Sequence, residues 1–453
     1  MPISSFIKKY RRKKRTLFTS PSHGAFCAPE NLKMFGRKIY ACDYSEIEGF
    51  DNLAAPAGII KEAQEKAAQI YGAKASFFLI NGSSSGVIAA MLAVLSKNDK
   101  VITARNCHKC VYNGLVLTGA HPLWLMPVYN KEWGIYDALD LNVLEALFKK
   151  NRDVKAVIIT NPSYEGVFFD VKGAAELCAE YGAALIIDEA HGALYRFAET
   201  LGAPSLNSGA DICIQSLHKT AGALNPSALL HINKNSKIKP EFVQQALNLI
   251  NTSSPSYPLL INIENCIDFL ASKKGGIYIS RYIENLKKTI EELNAVPNLE
   301  VYSLNNDISK ILIKVKNMTG FEVSDIMLQK YGIEDELANE KSVLYLTGIG
   351  TPVSKLKKLK NALKRVCLEE KGSGSLECRD ALYTLEPQVK YTPAEVWNKP
   401  FKEIDIKSSI GCISMETAYD YPPGAPVLIS GEIIQKEHIE YLADKQKTVK
   451  VSA

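Results

Sequence analysis

The feature that most constrains this 453-residue chain is a repeated unit, a short apolar run that breaks into a cluster of polar residues. Phe77 to Ile80 stops at "NGSSSG" (81–86), where a helical pattern begins. "DKVITARN" (99–106) leads into "CHKC", and "VKAVIITNPSYEG" (154–166) runs into a turn. "GAALIIDEAHGAL" (182–194) ends in acids and a histidine. "GADICIQSLHKT" (209–220) ends in a histidine and a lysine, and "SALLHINK" (227–234) follows. Helical patterns lie between several of these runs, as in "VKGAAELCAEYG" (171–182); another, "IIKEAQEKAAQIYG" (59–72), closes on Gly72. Continuously apolar strands alternating with helices predict an α/β fold, with a mostly parallel sheet covered by helices on both faces. Ligands of such sheets sit beyond the carboxyl ends of the strands. The polar clusters fall there.

The second half changes character. "FLASKKGGIYISRYIENLKKTIEELNAV" (269–296) predicts one long helix able to bridge two domains. "ISKILIKVKN" (308–317) and "SVLYLTGIG" (342–350) predict strands, accompanied by helices over 320–332 and 352–370. This suggests a smaller α+β domain, and "KGSGSLE" (371–377) is the best linker candidate. The resulting division is an N-terminal segment (1–50), a large ligand-binding domain (51–290), a small α+β domain (291–372) and a C-terminal domain (373–453).

The formal charge of +5 is too small for this length to indicate nucleic acid. One basic run, "KKYRRKKR" (8–15), is read as a solvated or frayed face, with an anionic surface as the sharper alternative. No apolar segment follows it as in a secretory signal, and no stretch is apolar enough to span a membrane. The ten cysteines are scattered, mostly inside apolar runs, which predicts reduced thiols in a cytoplasmic protein. Only Cys107 and Cys110, in "RNCHKC" (105–110), have suggestive spacing. A structural zinc site wants a second matching pair, and none is evident.

Four constellations converge on the strand ends. In "NGSSSG", the backbone around Gly82 opens a helix and makes an anion site, to which Ser83 and Ser84 can add hydroxyls. It lacks the ending of a nucleoside-triphosphate loop, but could hold one phosphate. Asp188 closes an apolar strand, either as a turn residue or as the partner of a buried cation; His191 follows. In "SLHKTAG" (216–222), Lys219 is either a surface lysine or an amine whose pKa is lowered enough to form an imine. His108 follows another strand, where an imidazole could stack on a planar ring. Together these describe a flat, phosphorylated, cationic ring linked to a lysine, which is pyridoxal 5'-phosphate.

With "NGSSSG", "RNCHK", "NPSYEGV", "DEAHGA", "SLHKTAGAL", "NTSSPSY" and "YPPGAP" in hand, the chain resembles the pyridoxal-phosphate-dependent Orn/Lys/Arg decarboxylases. The likeness, from "SPSHGA" (20–25) to "YPPGAPVLISGE" (421–432), is to their short form without the N-terminal wing domain. It implies the fold-type I, aspartate aminotransferase-like architecture. It also implies that Lys219 carries the cofactor, Asp188 pairs with the pyridinium nitrogen and His108 stacks on the ring. Gly82, Ser83, Ser84 and Ser216 would hold the phosphate, and His191 would contact the phenolic oxygen. His218 would be a proton donor, Glu336 would face the substrate's distal cation, and Thr252 and Ser253 would act in a neighbouring subunit's site. The implied reaction is decarboxylation of arginine, lysine or ornithine to an amine for polyamine synthesis, with arginine favoured, in a homodimer or larger homo-oligomer. No metal, nucleic acid or membrane partner is implied. "SPSHGA" departs from the family's Pro-Gly-His-Lys while keeping His23, and Asn225-Pro226 stands where a Thr-Gln pair is common. Rival readings are a cysteine desulfurase, which would need a mobile cysteine such as Cys378, an aminotransferase, or a catalytically silent cofactor-binding regulator.

Overall fold

A computed structural model describes residues 2–12, 37–137, 139–370, 372, 384–420 and 425–453. His23, the 371–377 linker apart from residue 372, Cys378 and most of "YPPGAP" lie outside them. The strands of the first half are β1 (Ala73–Leu79), β2 (Lys100–Ala104), β3 (His121–Leu125), a hairpin of β4 (Tyr129–Asn130) and β5 (Ile135–Tyr136), β6 (Val154–Thr160), β7 (Ala184–Asp188), β8 (Ile212–Ser216) and β9 (Ala228–Asn233). Seven of them form one sheet in the order β1-β9-β8-β7-β6-β2-β3. β2 runs parallel to both β3 and β6, whereas β9 is antiparallel to β1 and β8. The exception has a length argument. Only residues 217–227 separate β8 from β9, and a parallel crossover needs a dozen or more, usually including a full helix.

The chain divides into two compact units. The first comprises residues 1–93 and 188–280. Its helices include α1 (Pro2–Arg11), α2 (Arg37–Tyr40), α3 (Ile59–Tyr71) and most of α4 (Gly82–Val94). Helix α3 ends as its sequence predicts, on Gly72 in the left-handed conformation. Helix α4 lies so close to β1 and β8 that a Cβ on Gly86 would come within 2.5 Å of Leu79 Cδ1 and 2.9 Å of Ile214 Cγ2. Both neighbours are fully buried, so the last glycine of "NGSSSG" sets the approach of helix to sheet.

The described part of the basic run is solvated, as read, but it is not frayed: it ends a packed helix, residues 2–11, in which Ile3, Ile7 and Tyr10 are buried. The buried Glu264 carboxylate accepts the Ile3 and Ser4 N–H groups, each at 2.9 Å, and so caps the helix start. Lys8, Lys9, Arg11 and Arg12 do face solvent.

The predicted long helix is present as α11 (Lys273–Asn294), starting four residues later than read. Before it the chain forms α8 (Leu217–Thr220), α9 (Pro240–Ile250) and α10 (Tyr257–Leu270), and breaks at Ala271–Ser272. Ser272 makes the break: its hydroxyl accepts the Gly275 N–H at 3.0 Å, as an N-cap does, and donates to the Phe269 carbonyl at 2.7 Å.

The second unit comprises residues 94–187 and 281–453. It holds α5 (Lys109–Thr118), α6 (Leu141–Lys150) and α7 (Val171–Tyr181). It also contains a four-stranded antiparallel sheet, β10 (Leu299–Val301), β11 (Lys310–Val315), β13 (Val343–Leu346) and β12 (Leu337–Ala338), in that order. Helices α12 (Gly320–Tyr331) and α13 (Val353–Glu369) pack on each other, giving the expected small α+β element. Further on, strands over 401–405 and 448–452 pair antiparallel beside an apolar cluster that includes Ile406, Leu428, Ile434 and Val451. Among the described residues, no helix is long and apolar enough to cross a membrane.

Two buried histidines give the fold an acid limit. Burial pushes the pKa of His231 down to about 3 and, aided by the charge of Arg105, that of His438 to about 4. An unfolded histidine titrates near 6.5, so below that pH the unfolded chain binds more protons than the folded one. Stability is complete above about pH 6.5 and falls toward pH 4, by up to roughly 1.4 kcal/mol per pH unit for each group. Thermal unfolding measured from pH 7 to 5 should show this decline, and His231→Phe should flatten it.

Candidate active site

The first unit brings together most of the residues singled out in the sequence. Strand β8 ends at Ser216, fully buried, whose hydroxyl donates to Ser83 Oγ at 2.8 Å. Ser83 and Ser84 stand in the first turn of α4, directly after Gly82. Gly82 has φ of +76°, a conformation a side chain would strain. The start of a 13-residue helix and two hydroxyls therefore share one corner. Such a corner suits a phosphate, which takes hydrogen bonds from N–H and O–H donors and favours the positive end of a helix dipole.

Asp188 closes β7 with its side chain buried, and one of its oxygens accepts the Ala190 N–H at 3.2 Å. The Ser216 N–H donates to the Ala190 carbonyl at 3.1 Å, which ties the end of β8 to the turn after Asp188. From that turn His191, also buried, places Nε2 3.0 Å from Lys219 Nζ. Lys219 is half-buried in the single turn α8, not extended into solvent. Thr220 Oγ1 reaches the His191 carbonyl at 3.5 Å. Amine, carboxylate, imidazole and phosphate corner thus belong to one unit. The donor set fits a phosphorylated cationic ring: hydroxyls for the phosphate, a buried anion for the ring charge, and an amine for an aldehyde.

His218 is half-buried, and burial holds its pKa below the ordinary histidine value, opposed by the Ser227 carbonyl and assisted by the charge of Lys219. Its Nδ1 lies 3.0 Å from that carbonyl, which can only accept. The neutral ring therefore carries its proton on Nδ1 and presents Nε2 as an acceptor. Thr252 and Ser253 are exposed in the single chain, where Thr252 Oγ1 accepts the Ser254 N–H at 3.2 Å.

Two predicted residues lie in the second unit. His108 is the N-cap of α5, its Nδ1 accepting the Cys110 N–H at 3.3 Å. Glu336 is half-buried and accepts a hydrogen bond from the Tyr164 hydroxyl. The two cysteines of "RNCHKC" are buried, and Cys107 Sγ contacts the Tyr112 hydroxyl at 3.4 Å. Among the described residues, no cluster of His, Cys, Asp or Glu is arranged to hold a metal.

Sequence reading missed Glu189, the neighbour of Asp188. It is fully buried, and burial raises its pKa against the hydrogen bonds it accepts. Its donors are the Ser205 N–H at 2.7 Å, Ser205 Oγ and Gln215 Nε2 at 2.5 Å each, and Cys213 Sγ at 3.2 Å. These bonds fasten the turn bearing Asp188 and His191 to β8. A Gln215 in an otherwise apolar strand was the available signal, since a buried amide requires a polar partner.

Comparison with known proteins follows the same outline. The family profile described as "Orn/Lys/Arg decarboxylase, major domain" matches residues 1–322, and the one described as "Orn/Lys/Arg decarboxylase, C-terminal domain" matches residues 377–450. The chain is 29% identical to the arginine decarboxylase of Bacillus subtilis (strain 168) over 97% of its length and 92% of that protein. It is 30% identical to the uncharacterized protein YaaO of the same strain, over 97% of this chain and 92% of that one. Among solved structures, the Francisella novicida lysine decarboxylase LdcF superposes with a TM-score of 0.88 at 18% identity, covering 100% of this chain and 81% of that one. An alanine–glyoxylate aminotransferase from Nostoc sp. superposes at 0.52 with 16% identity, over 70% of this chain and 88% of that one. These two likenesses speak to the fold, an aminotransferase-like α/β architecture.

Proposed function

Because the chain belongs to the Orn/Lys/Arg decarboxylase family, whose members use pyridoxal phosphate, we propose that it decarboxylates a basic amino acid, arginine ahead of lysine and ornithine, to the corresponding amine and CO2. The observation that carries this reading is the grouping of Lys219, His191, Asp188 and the Ser83–Ser216 pair in one unit. The choice of arginine rests on the name of the Bacillus subtilis relative. When bound, pyridoxal phosphate supplies a protonated ring that accepts the electron pair left by departing CO2.

The chain's own residues do the rest. Ser83, Ser84, Ser216 and the N–H groups at the start of α4 hold the phosphate. Asp188, buried and negative, keeps the proton on the ring nitrogen. His191 would orient the Lys219 amine, which would hold the cofactor and could return a proton to the substrate's α-carbon. A neutral His218 presents an acceptor at Nε2, so it can give a proton only after taking one up there. His108 covers the ring. Glu336, its carboxylate fixed by Tyr164, offers a negative charge to the substrate's distal cation. Thr252 and Ser253 serve the site of a second copy, so the working enzyme is a homodimer or larger. The amine product is of the class that polyamine synthesis consumes.

Trapping labelled CO2 from carboxyl-labelled arginine, lysine and ornithine tests the reading. CO2 with an equal amount of amine, fastest from arginine, is expected; release of a keto acid, or no CO2 from any of the three, overturns it. Ser216→Ala should raise the dissociation constant for pyridoxal phosphate roughly tenfold, the ordinary worth of a hydrogen bond to a charged group, as read by absorbance titration of the cofactor-free protein.

A further inference from the structure

Within the second unit, "RNCHKC" begins with a charge that sequence reading left unassigned. Arg105 follows β2 and lies three residues before His108, and its side chain is only 7% exposed. Its partner is Glu432, of "ISGE", 1% exposed. Nη2 donates to Glu432 Oε2 at 2.9 Å, and Nη1 lies 2.8 Å from Oε1. Glu432 Oε2 also accepts the Ile429 N–H at 2.9 Å, and Nη2 lies 3.4 Å from the Val427 carbonyl. The guanidinium carbon sits 5.2 Å from the Trp124 ring centroid. Burying two charges costs about as much as their attraction returns, so such a pair is a poor source of stability and a better source of geometry.

That geometry leads to His108. The Arg105 N–H donates to the Leu125 carbonyl at 3.0 Å, and the Arg105 carbonyl accepts the Tyr112 hydroxyl at 3.0 Å. Cys107 N–H returns to the Ala104 carbonyl at 3.1 Å, and His108 then caps α5. The C-terminal segment also meets α5 from elsewhere: the short helix Pro393–Val396 packs against it, and Tyr419 lies 6.3 Å from Tyr112, ring centre to ring centre. We propose that Glu432, acting through Arg105, is a positioning residue by which the C-terminal domain sets the turn that carries His108. The proposal rests on the reading of His108 as the residue that covers the cofactor ring.

The test is a double-mutant cycle on the full-length, cofactor-loaded enzyme, read by visible circular dichroism of the bound cofactor and by CO2 release. Glu432→Gln should weaken the dichroic band and lower kcat about tenfold with KM little changed, and Glu432→Asp should recover part of both. The Glu432→Gln/His108→Ala double variant should be no worse than His108→Ala alone, because the carboxylate acts only through that turn. If Glu432→Gln does not fold, the charge-free pair Arg105→Met/Glu432→Leu takes its place in the same cycle. Effects that multiply would overturn the proposal and leave the reading of His108 standing. A His108→Ala variant with an unchanged band and unchanged kcat would overturn that reading, and the proposal with it.

Discussion

Lys219→Ala is expected to leave a folded protein without the cofactor's visible absorbance and with CO2 release reduced by roughly 10³-fold or more. On the proposed reading the amine both holds the cofactor and returns the proton to the α-carbon, so both roles vanish together. Folding should survive. Lys219 is half-buried, its amine lies 3.0 Å from His191 Nε2, and a water can take the place of the amine beside that ring. A stopped assay together with an absorbance spectrum checks the outcome. Retained turnover in a colourless variant would contradict the role given to this residue.

Asp188→Asn is expected to cost roughly 10²- to 10³-fold in kcat, comparable to removing one preorganised electrostatic partner from an active site. The substitution preserves shape and the acceptor for the Ala190 N–H but removes the negative charge. Cofactor binding should weaken less than turnover, because the phosphate corner at Ser83 and Ser216 is untouched. A loss confined to cofactor affinity, with kcat restored at saturating pyridoxal phosphate, would show that the carboxylate only anchors.

The strands and their polar ends were legible because each apolar run is too short and too continuous for an exposed helix, and each stops on residues that a sheet interior would not tolerate. The turn that opens α4 was legible from "NGSSSG", although only the structure separates Gly82, required by its backbone angle, from Gly86, required by the close approach of Leu79 and Ile214. What failed to show depends on residues far apart in the chain. The packed apolar side of the N-terminal helix did not show because the carboxylate that caps it, Glu264, lies 261 residues from Ile3. Glu189 and Glu432 went unassigned because the donors that justify their burial, Gln215 and Arg105, lie 26 and 327 residues away in the chain. The reading of 269–296 as one helix ran past the break at Ala271–Ser272, although residues 272–276, Ser-Lys-Lys-Gly-Gly, carry no apolar side chain. The tautomer of His218, which decides whether it gives or takes a proton, is fixed by one carbonyl nine residues away.

The central claim is that the ε-amine of Lys219 carries the cofactor beside Asp188. Reducing the loaded enzyme with borohydride and mapping its peptides by mass spectrometry tests this directly. A pyridoxyl adduct confined to the "SLHKTAG" peptide, at Lys219, is the result expected; an adduct on any other lysine, or none, would contradict it.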